Sequence, residues 1–310
     1  CDWNYYFCTE EFWRVSMSYR SGFIAIVGRP NAGKSTLLNA LLKEKVAIIS
    51  DKPNTTRNNI AGILSKEEAQ YVFMDTPGIH KPQQELGRVL NKNAYIAMED
   101  CDVIGWIVDG TQSFGSGDQF ILDRIKGLHK PVVLLVNKID RLKKENMIQA
   151  LMKWQEVYNF NDIVPISALQ QNNVEEVLKV FYQYLPQGPA LFPEEMTSDH
   201  DLSFQLCEIV REKILRRTHE EIPHSVAVVL EQREGNVYRM MIVVDRASQK
   251  GIIIGKQGSM IRKIRLDAQT EISKKLGHKV ELELYVRVEE NWRNQKNKIK
   301  EFGMDEYNEE

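Results

Sequence analysis

Residues 28–35 read GRPNAGKS, a full match to G-x-x-x-x-G-K-[ST], the loop that wraps a phosphate chain. The apolar run Phe23-Ile24-Ala25-Ile26-Val27 precedes it, and a helix-like stretch over residues 36–42 follows. That strand–loop–helix context constrains the amino-terminal half to an α/β fold, a mainly parallel sheet with helices on both faces. The glycines let consecutive backbone N–H groups turn inward, and the helix N-terminus behind them adds partial positive charge. Lys34 is placed to reach the outer phosphates, and the Ser35 hydroxyl to hold Mg²⁺. Gly28, Arg29, Pro30, Asn31, Ala32, Gly33, Lys34, Ser35 and Thr36 are the expected contacts of a nucleoside triphosphate.

The base is specified about a hundred residues downstream. Residues 131–136, PVVLLV, form the continuous apolar run of a buried parallel strand, and it ends in Asn137-Lys138-Ile139-Asp140. A carboxylate at Asp140 accepts from both the ring N–H and the exocyclic amine of guanine. Adenine lacks that donor pair and would leave the carboxylate unpaired, a mismatch that a polar site rejects by about 10⁴–10⁵. Asn137 is expected to orient the loop and Lys138 to lie along the base. Further on, Ser167-Ala168-Leu169 follows the strand-like residues 162–166 and is placed to back the guanine.

Between these motifs lie the segments expected to sense the third phosphate. The strand-like Tyr71-Val72-Phe73-Met74 ends in Asp75-Thr76-Pro77-Gly78. Asp75 can hold a water of the Mg²⁺ shell, and the Gly78 N–H can touch the γ-phosphate. In the polar loop Asn54-Thr55-Thr56-Arg57 either threonine can complete the metal shell, with Thr56 favoured. Asn31, Lys34, Asp75 and Gly78 are the expected catalytic set. Ras-like GTPases carry a water-orienting glutamine directly after D-x-x-G. Here that position is Ile79, so slow intrinsic hydrolysis is expected. The same substitution leaves room for an RNA-binding scaffold whose nucleotide is hardly turned over.

A length of 310 residues accommodates two domains, and 43% hydrophobic with 27% charged residues describes an ordinary globular chain. No run approaches the ~18 apolar residues of a membrane span. Cys1, Cys8, Cys101 and Cys207 show no C-x-x-C spacing, which argues against a zinc site or disulfide frame and fits a reducing cytoplasm. Residues 1–16 have no strand or helix period. They read as translated sequence upstream of a natural start at Met17, against the competing reading of an aromatic interaction tail. Net charge is only −2, yet residues 246–300 hold 14 Lys or Arg against 6 Asp or Glu, a basic surplus suited to nucleic acid.

Residues 185–193, LPQGPALFP, cannot continue a helix and mark a boundary. Residues 194–202 read as a polar connector. Beyond it come a helix over residues 204–217, a strand over 225–231, a turn at Gly235-Asn236 and a strand over 237–244. Then follow the segment GIIIGKQGSMI, a helix running to about Leu276 with Gly277 as its cap, and an alternating strand over 280–286. The order α-β-β-α-α-β with G-K-Q-G between the middle helices is that of an α+β type II KH domain, whose G-x-x-G loop clamps about four nucleotides. Gly255 and Gly258 would admit phosphates to the backbone, and Lys256 would supply charge. Ile252, Ile253 and Ile254 would line a base groove, with Gln257, Arg262 and Lys263 alongside. The resulting division is 1–16 as a non-native or upstream-translated tail, 17–186 as GTPase domain, 187–202 as linker, 203–302 as KH domain and 303–310 as acidic tail.

A GTPase followed by a single KH domain resembles the Era family of bacterial ribosome-assembly GTPases. The resemblance covers about residues 20–302 and rests on GRPNAGKS, NTTR, DTPGIHKP, NKID, SAL, GIIIGKQG and VELELYVRVEENWR. A second phosphate loop, as in double-GTPase relatives, and the C-x-G-K ending of a tRNA-modifying relative are both missing from the sequence. The resemblance implies binding of the 3′ end of small-subunit (16S) ribosomal RNA, assistance in 30S maturation, peripheral association with the cell membrane and a monomeric state. It also implies a K⁺ ion beside Asn31, where an arginine finger's charge would otherwise sit; the other reading of Asn31 is a turn former.

Overall fold

The computed structural model describes residues 19–49, 55–57, 60–79, 82, 84–218 and 222–304. The amino-terminal tail, Asn54, His80, Lys81 and residues 305–310 lie outside the described residues. The first half alternates strands and helices: β1 (Arg20–Val27), α1 (Lys34–Leu42), β2 (Ile60–Ser65), β3 (Ala69–Asp75), α2 (Glu85–Asp100), β4 (Val103–Asp109), α3 (Ser116–Ile125), β5 (Val132–Asn137), α4 (Lys144–Gln155), β6 (Asp162–Pro165) and α5 (Val174–Tyr184). Six strands form one sheet in the order β2-β3-β1-β4-β5-β6, parallel except for the antiparallel β2–β3 pair.

The period-two geometry of strands sorts their side chains onto two cores. Ile24, Ile26, Val133 and Leu135 point to one face, where they meet Leu37, Leu38 and Leu41 of α1 and Val177 and Phe181 of α5. Ala25, Val27, Leu134 and Val136 point to the other, against Ala94 and Met98 of α2, Ile121 of α3 and Trp154 of α4. Both faces of the sheet are covered, which explains why β1 and β5 read as unbroken apolar runs. Burying side chains of this size contributes about 1.5–3 kcal/mol each.

The edge strand β2 is covered by the chain leaving this half. Ile63 N donates to Thr197 O at 3.0 Å, and Ala61 N donates to Asp199 Oδ1 at 3.0 Å. Fully buried Gln70 fastens the same segment: its Oε1 accepts from Leu191 N (2.7 Å) and Phe192 N (2.9 Å), and its Nε2 donates to Phe192 O (2.8 Å). Residues 187–199, part of the stretch 187–202 read from sequence as linker, are thus stitched along a sheet edge that would otherwise present unpaired backbone.

The second half contains α6 (Leu202–Arg217), the short α7 (Ile222–Ser225), β7 (Ala227–Glu234), β8 (Val237–Val244), α8 (Ala247–Ile254), α9 (Ser259–Leu276), β9 (Glu281–Val288) and α10 (Lys296–Glu301). Asp201 caps α6 by accepting from Phe204 N at 2.7 Å, so the helix begins two residues earlier than its apolar pattern suggests. Strand β7 starts at Ala227 rather than Ser225, because Ser225 closes α7 with its hydroxyl on Ile222 O. Gly235 turns the β7–β8 hairpin at φ +56°, and Gly277 ends α9 at φ +72°. Strand β9 pairs in parallel with β8 in the order β7-β8-β9, and α6 and α9 contribute to the core on the sheet's helix-covered face.

Candidate nucleotide site and GxxG loop

The loops following β1, β3, β5 and β6 gather at the carboxyl ends of the parallel strands, where open α/β sheets bind ligands. Pro30, Asn31, Gly33, Lys34, Ser35, Thr36, Thr55, Thr56 and Gly78 line one cleft there. Gly33 has φ +109°, and a Cβ at that position would lie 2.2 Å from Asn137 Nδ2, so glycine is required. Asn31 sits in the left-handed region at φ +64°, which asparagine tolerates better than most residues. Lys34 is buried, and its Nζ donates to the carbonyls of Gly28 and Arg29, both at 3.1 Å. The Arg29 side chain is engaged by Asp118 of α3 at 3.1 Å.

Three oxygen-bearing side chains from three segments meet beside Lys34. Ser35 Oγ lies 3.0 Å from Thr56 Oγ1, and both donate to Asp75 Oδ2, at 2.9 and 3.1 Å. Of the two threonines, Thr56 brings its hydroxyl to this point, while the Thr55 carbonyl accepts a hydrogen bond from Arg211. Asp75 is fully buried, and its other oxygen, Oδ1, has no hydrogen-bond partner among the described residues. Burial raises its pKa, opposed by the Lys34 charge and the two hydroxyls. Burial lowers that of Lys34 to about 8, opposed by Asp75.

At the far end of the cleft, Asn137 ties two loops together: Nδ2 donates to Ala32 O at 2.8 Å, and Oδ1 accepts from Ala168 N at 2.9 Å. Exposed Asp140 accepts from the Ser167 hydroxyl at 2.5 Å, and Leu169 is 67% exposed next to them. Lys138, at φ +66°, pairs with Asp109. Ile79 is fully buried among Ala25, Val27, Ala94 and Met98, so the side chain in the glutamine's place is part of the core beneath the sheet.

Sequence reasoning did not single out the residues that join the cleft to the second half. Arg57 is buried, donates to Val226 O at 2.7 Å and lies 5.9 Å from the Trp292 ring centroid. Burial first, then neighbouring Arg211, lowers its pKa to about 9. Leu86, Val89 and Leu90 of α2 share a cluster with Ala227, Met241, Val243, Trp292, Ile299 and Phe302. NTTR offered a signal, an arginine next to a switch threonine, but its partners lie far along the chain.

In the second half, three of the four GKQG residues have positive φ: Gly255 (+72°), Gln257 (+51°) and Gly258 (+74°). A Cβ on Gly255 would lie 2.7 Å from Met260 Cβ and 2.9 Å from Met260 N, whereas one on Gly258 meets nothing within 4 Å. Lys256, Arg262 and Lys263 are exposed beside the loop, and Ile252 is 51% exposed. Ile253 is fully buried in the core, so the expected apolar groove lining is reduced to Ile252 and half-buried Ile254. All three isoleucines lie in α8, where successive residues are turned by about 100°, so they point in different directions and only Ile253 is fully buried, which a run of three isoleucines conceals.

A phosphate loop at the head of a mainly parallel sheet, followed by a GxxG loop between two helices, defines a P-loop GTPase carrying a KH domain. Residues 23–138 match the family described as 50S ribosome-binding GTPase, and residues 221–293 match the KH domain family. The chain is 40% identical to an Era protein whose crystal structure contains MgGDPNP and nucleotides 1506–1542 of 16S ribosomal RNA; the match covers 92% of this chain and 99% of that one, with a TM-score of 0.90. A variant of Aquifex aeolicus Era bound to GDP and AlF4⁻ is likewise 40% identical over 92% and 99% of the two chains, with a TM-score of 0.89. The chain belongs to the Era family, and it is a GTPase.

The lowered Lys34 pKa has a measurable consequence for the ligand-free protein. Above pH 8 folded Lys34 releases its proton, while the unfolded chain keeps it to about 10.5. At this group the unfolded state then binds more protons, which contributes a rise in stability of up to about 1.4 kcal/mol per pH unit between pH 8 and 9.5. Burial pushes the Cys101 and Cys207 thiols up to about 11 and 12, which acts in the opposite direction, so the test is a difference. In denaturant titrations the slope of stability against pH should be more positive in the wild type than in Lys34→Met; equal slopes would contradict the buried, charge-averse environment.

Proposed function

We propose that the chain is a GTP-driven switch that binds the 3′ end of small-subunit ribosomal RNA and acts in 30S assembly. The observation that carries the RNA reading is the left-handed GKQG loop, set between α8 and α9 with Lys256, Arg262 and Lys263 exposed around it. A relative of 40% identity holds that stretch of 16S RNA, which supports the choice of ligand. In this reading Gly255, Lys256, Gln257 and Gly258 clamp the RNA backbone, and Ile252 and Ile254 line the base groove. The working division is the one read from sequence: a non-native or upstream-translated tail over 1–16, a GTPase domain over 17–186, a linker over 187–202, a KH domain over 203–302 and a tail over 303–310.

In the GTPase half, backbone N–H groups from Gly28 to Thr36 cradle the phosphates and Lys34 pairs with the outer ones. Thr55 and Gly78 close on the γ-phosphate from the other side. Asp140 reads guanine, Asn137 and Lys138 support that loop, and Ser167, Ala168 and Leu169 back the base. The donor set fits Mg²⁺: two hydroxyls, Ser35 and Thr56, around a buried Asp75 whose Oδ1 lacks a partner among the described residues. Bound there, the ion would offset phosphate charge and orient the γ-phosphate for attack. With Ile79 in the core, no side chain at that position can orient water, so intrinsic turnover is slow and depends on supplied charge. Asn31 is our candidate to help seat a K⁺ ion supplying it. The proposed setting is the cytoplasm, as a monomer with peripheral contact to the cell membrane. No helix of the described residues is long and apolar enough to cross a membrane.

Three measurements test this assignment. Asp140→Asn should lower GTP affinity about 10²-fold and raise affinity for XTP, since the new NH₂ faces the 2-oxo group of xanthine. Unchanged GTP binding with no gain for XTP would refute the base assignment. Hydrolysis should run faster in K⁺ than in Na⁺, and Asn31→Ala should erase that difference while still binding GDP; equal rates in both salts would leave Asn31 a turn residue. The double change Lys256→Asp with Gln257→Asp keeps the backbone conformation that aspartate tolerates and reverses the loop's charge. It should weaken binding to a 16S 3′-end RNA by about 10²-fold or more, with GTP affinity nearly constant. RNA binding that survives in this folded variant would remove the GKQG loop from the RNA site.

A further inference from the structure

The carboxyl end of β4 belongs to none of the motifs read from sequence, yet it grips the loop that follows β5. Asp109 and Asn137 are register partners on these adjacent strands, and Gly110 N donates to Asn137 O at 2.8 Å. One residue beyond Asn137, Lys138 reaches back across this pairing. Its Nζ lies 2.7 Å from Asp109 Oδ2, with the two side chains only 21% and 11% exposed. The other oxygen of Asp109 accepts from Thr111 N at 3.0 Å and from the Thr111 hydroxyl at 2.6 Å. The carboxylate therefore cannot rotate away from Lys138 without giving up two further hydrogen bonds. Despite partial burial, these bonds from Lys138 and Thr111 keep the Asp109 pKa below its ordinary value, so its carboxylate is ionised at neutral pH.

The arrangement holds Lys138 at both ends. Its backbone is in the left-handed region, uncommon for a residue with a long side chain, and its ammonium is anchored. Only the four-carbon stem lies between. A free lysine stem samples many rotamers and must surrender them when it covers a ligand, whereas an anchored one has done so beforehand. We propose that Asp109 is a positioning residue for the guanine nucleotide, anchoring the Lys138 ammonium so that the Lys138 stem lies ready along the base. Thr111 orients Asp109 in turn. This rests on the reading of Lys138 as a base-covering residue. Because GDP and GTP share the base, the effect falls equally on both and leaves the hydrolytic step alone.

The test uses the full chain, fluorescent GDP and GTP for affinity, and steady-state hydrolysis. Asp109→Asn keeps the shape and removes the charge; it should weaken GDP and GTP alike by about tenfold, raising KM with kcat unchanged. Thr111→Val should act in the same direction by about threefold. In a Lys138→Met background, where the ammonium is gone, adding Asp109→Asn should change nothing further. Additive losses in that double variant, or a fall in kcat at unchanged KM, would show that Asp109 acts other than through Lys138 and overturn the proposal. Lys138→Ala that binds GDP as tightly as wild type would instead remove the base-covering reading, and the anchor with it. Thr111→Val keeps the test available should Asp109→Asn fail to fold.

Discussion

A buried carboxylate is costly unless its oxygens find partners, and Asp75 is buried at the meeting point of three segments distant in sequence. Its Oδ2 takes hydrogen bonds from Ser35 at the end of the phosphate loop and from Thr56 in the segment before β2. Lys34 lies close enough to oppose the burial-driven rise of its pKa. The placement of the phosphate loop, the switch threonine and the end of β3 therefore depends on one side chain. The incompletely satisfied Oδ1 marks the direction from which further positive charge would be most welcome.

From that point the second half of the molecule is one residue away. Arg57 follows Thr56 directly and is sunk between Val226 O and the Trp292 ring, while Arg211 of α6 donates to the Thr55 carbonyl. Trp292 is also part of the cluster that receives Leu86, Val89 and Leu90 of α2, the helix that follows the Gly78 loop. Both the Thr55–Arg57 segment and the helix after Gly78 are thus packed against the same region of the KH half. Packed interiors do not deform smoothly. A displacement of Thr56 would have to draw Arg57 from its socket or carry the neighbouring half along. That is a mechanical connection between the nucleotide cleft and the KH half, built from packing and two buried arginines, Arg57 and Arg211.

What could be read from the sequence was local. Residues 28–35 and 255–258 are consecutive, and their conformations follow from glycines, a positive-φ asparagine or glutamine, and the helix that comes next. The strands of the parallel sheet announced themselves as apolar runs because both faces are covered. The GTPase fold and the KH fold could be read in that way, and the family by the resemblance of the motifs to a known one. Ile253 was misassigned because three adjacent isoleucines carry no sign of which one turns inward. Gln70 and residues 187–199 were invisible as a unit, since an edge strand's need for cover is a property of the assembled sheet.

The sequence by itself determined the class of fold and the segments able to form each loop, because short-range backbone preferences and side-chain periods encode these within a few residues; the family followed from the resemblance of its motifs. Only the tertiary structure decided which threonine meets Asp75, that Ile79 belongs to the core, that Asp109 holds Lys138 and that Arg57 joins the two halves. Arg57 and Val226 are 169 positions apart, and such a contact is set by how helices and sheets pack after they form. Burial and long-range pairing are decided by shape and desolvation across the whole molecule, and no local pattern carries them.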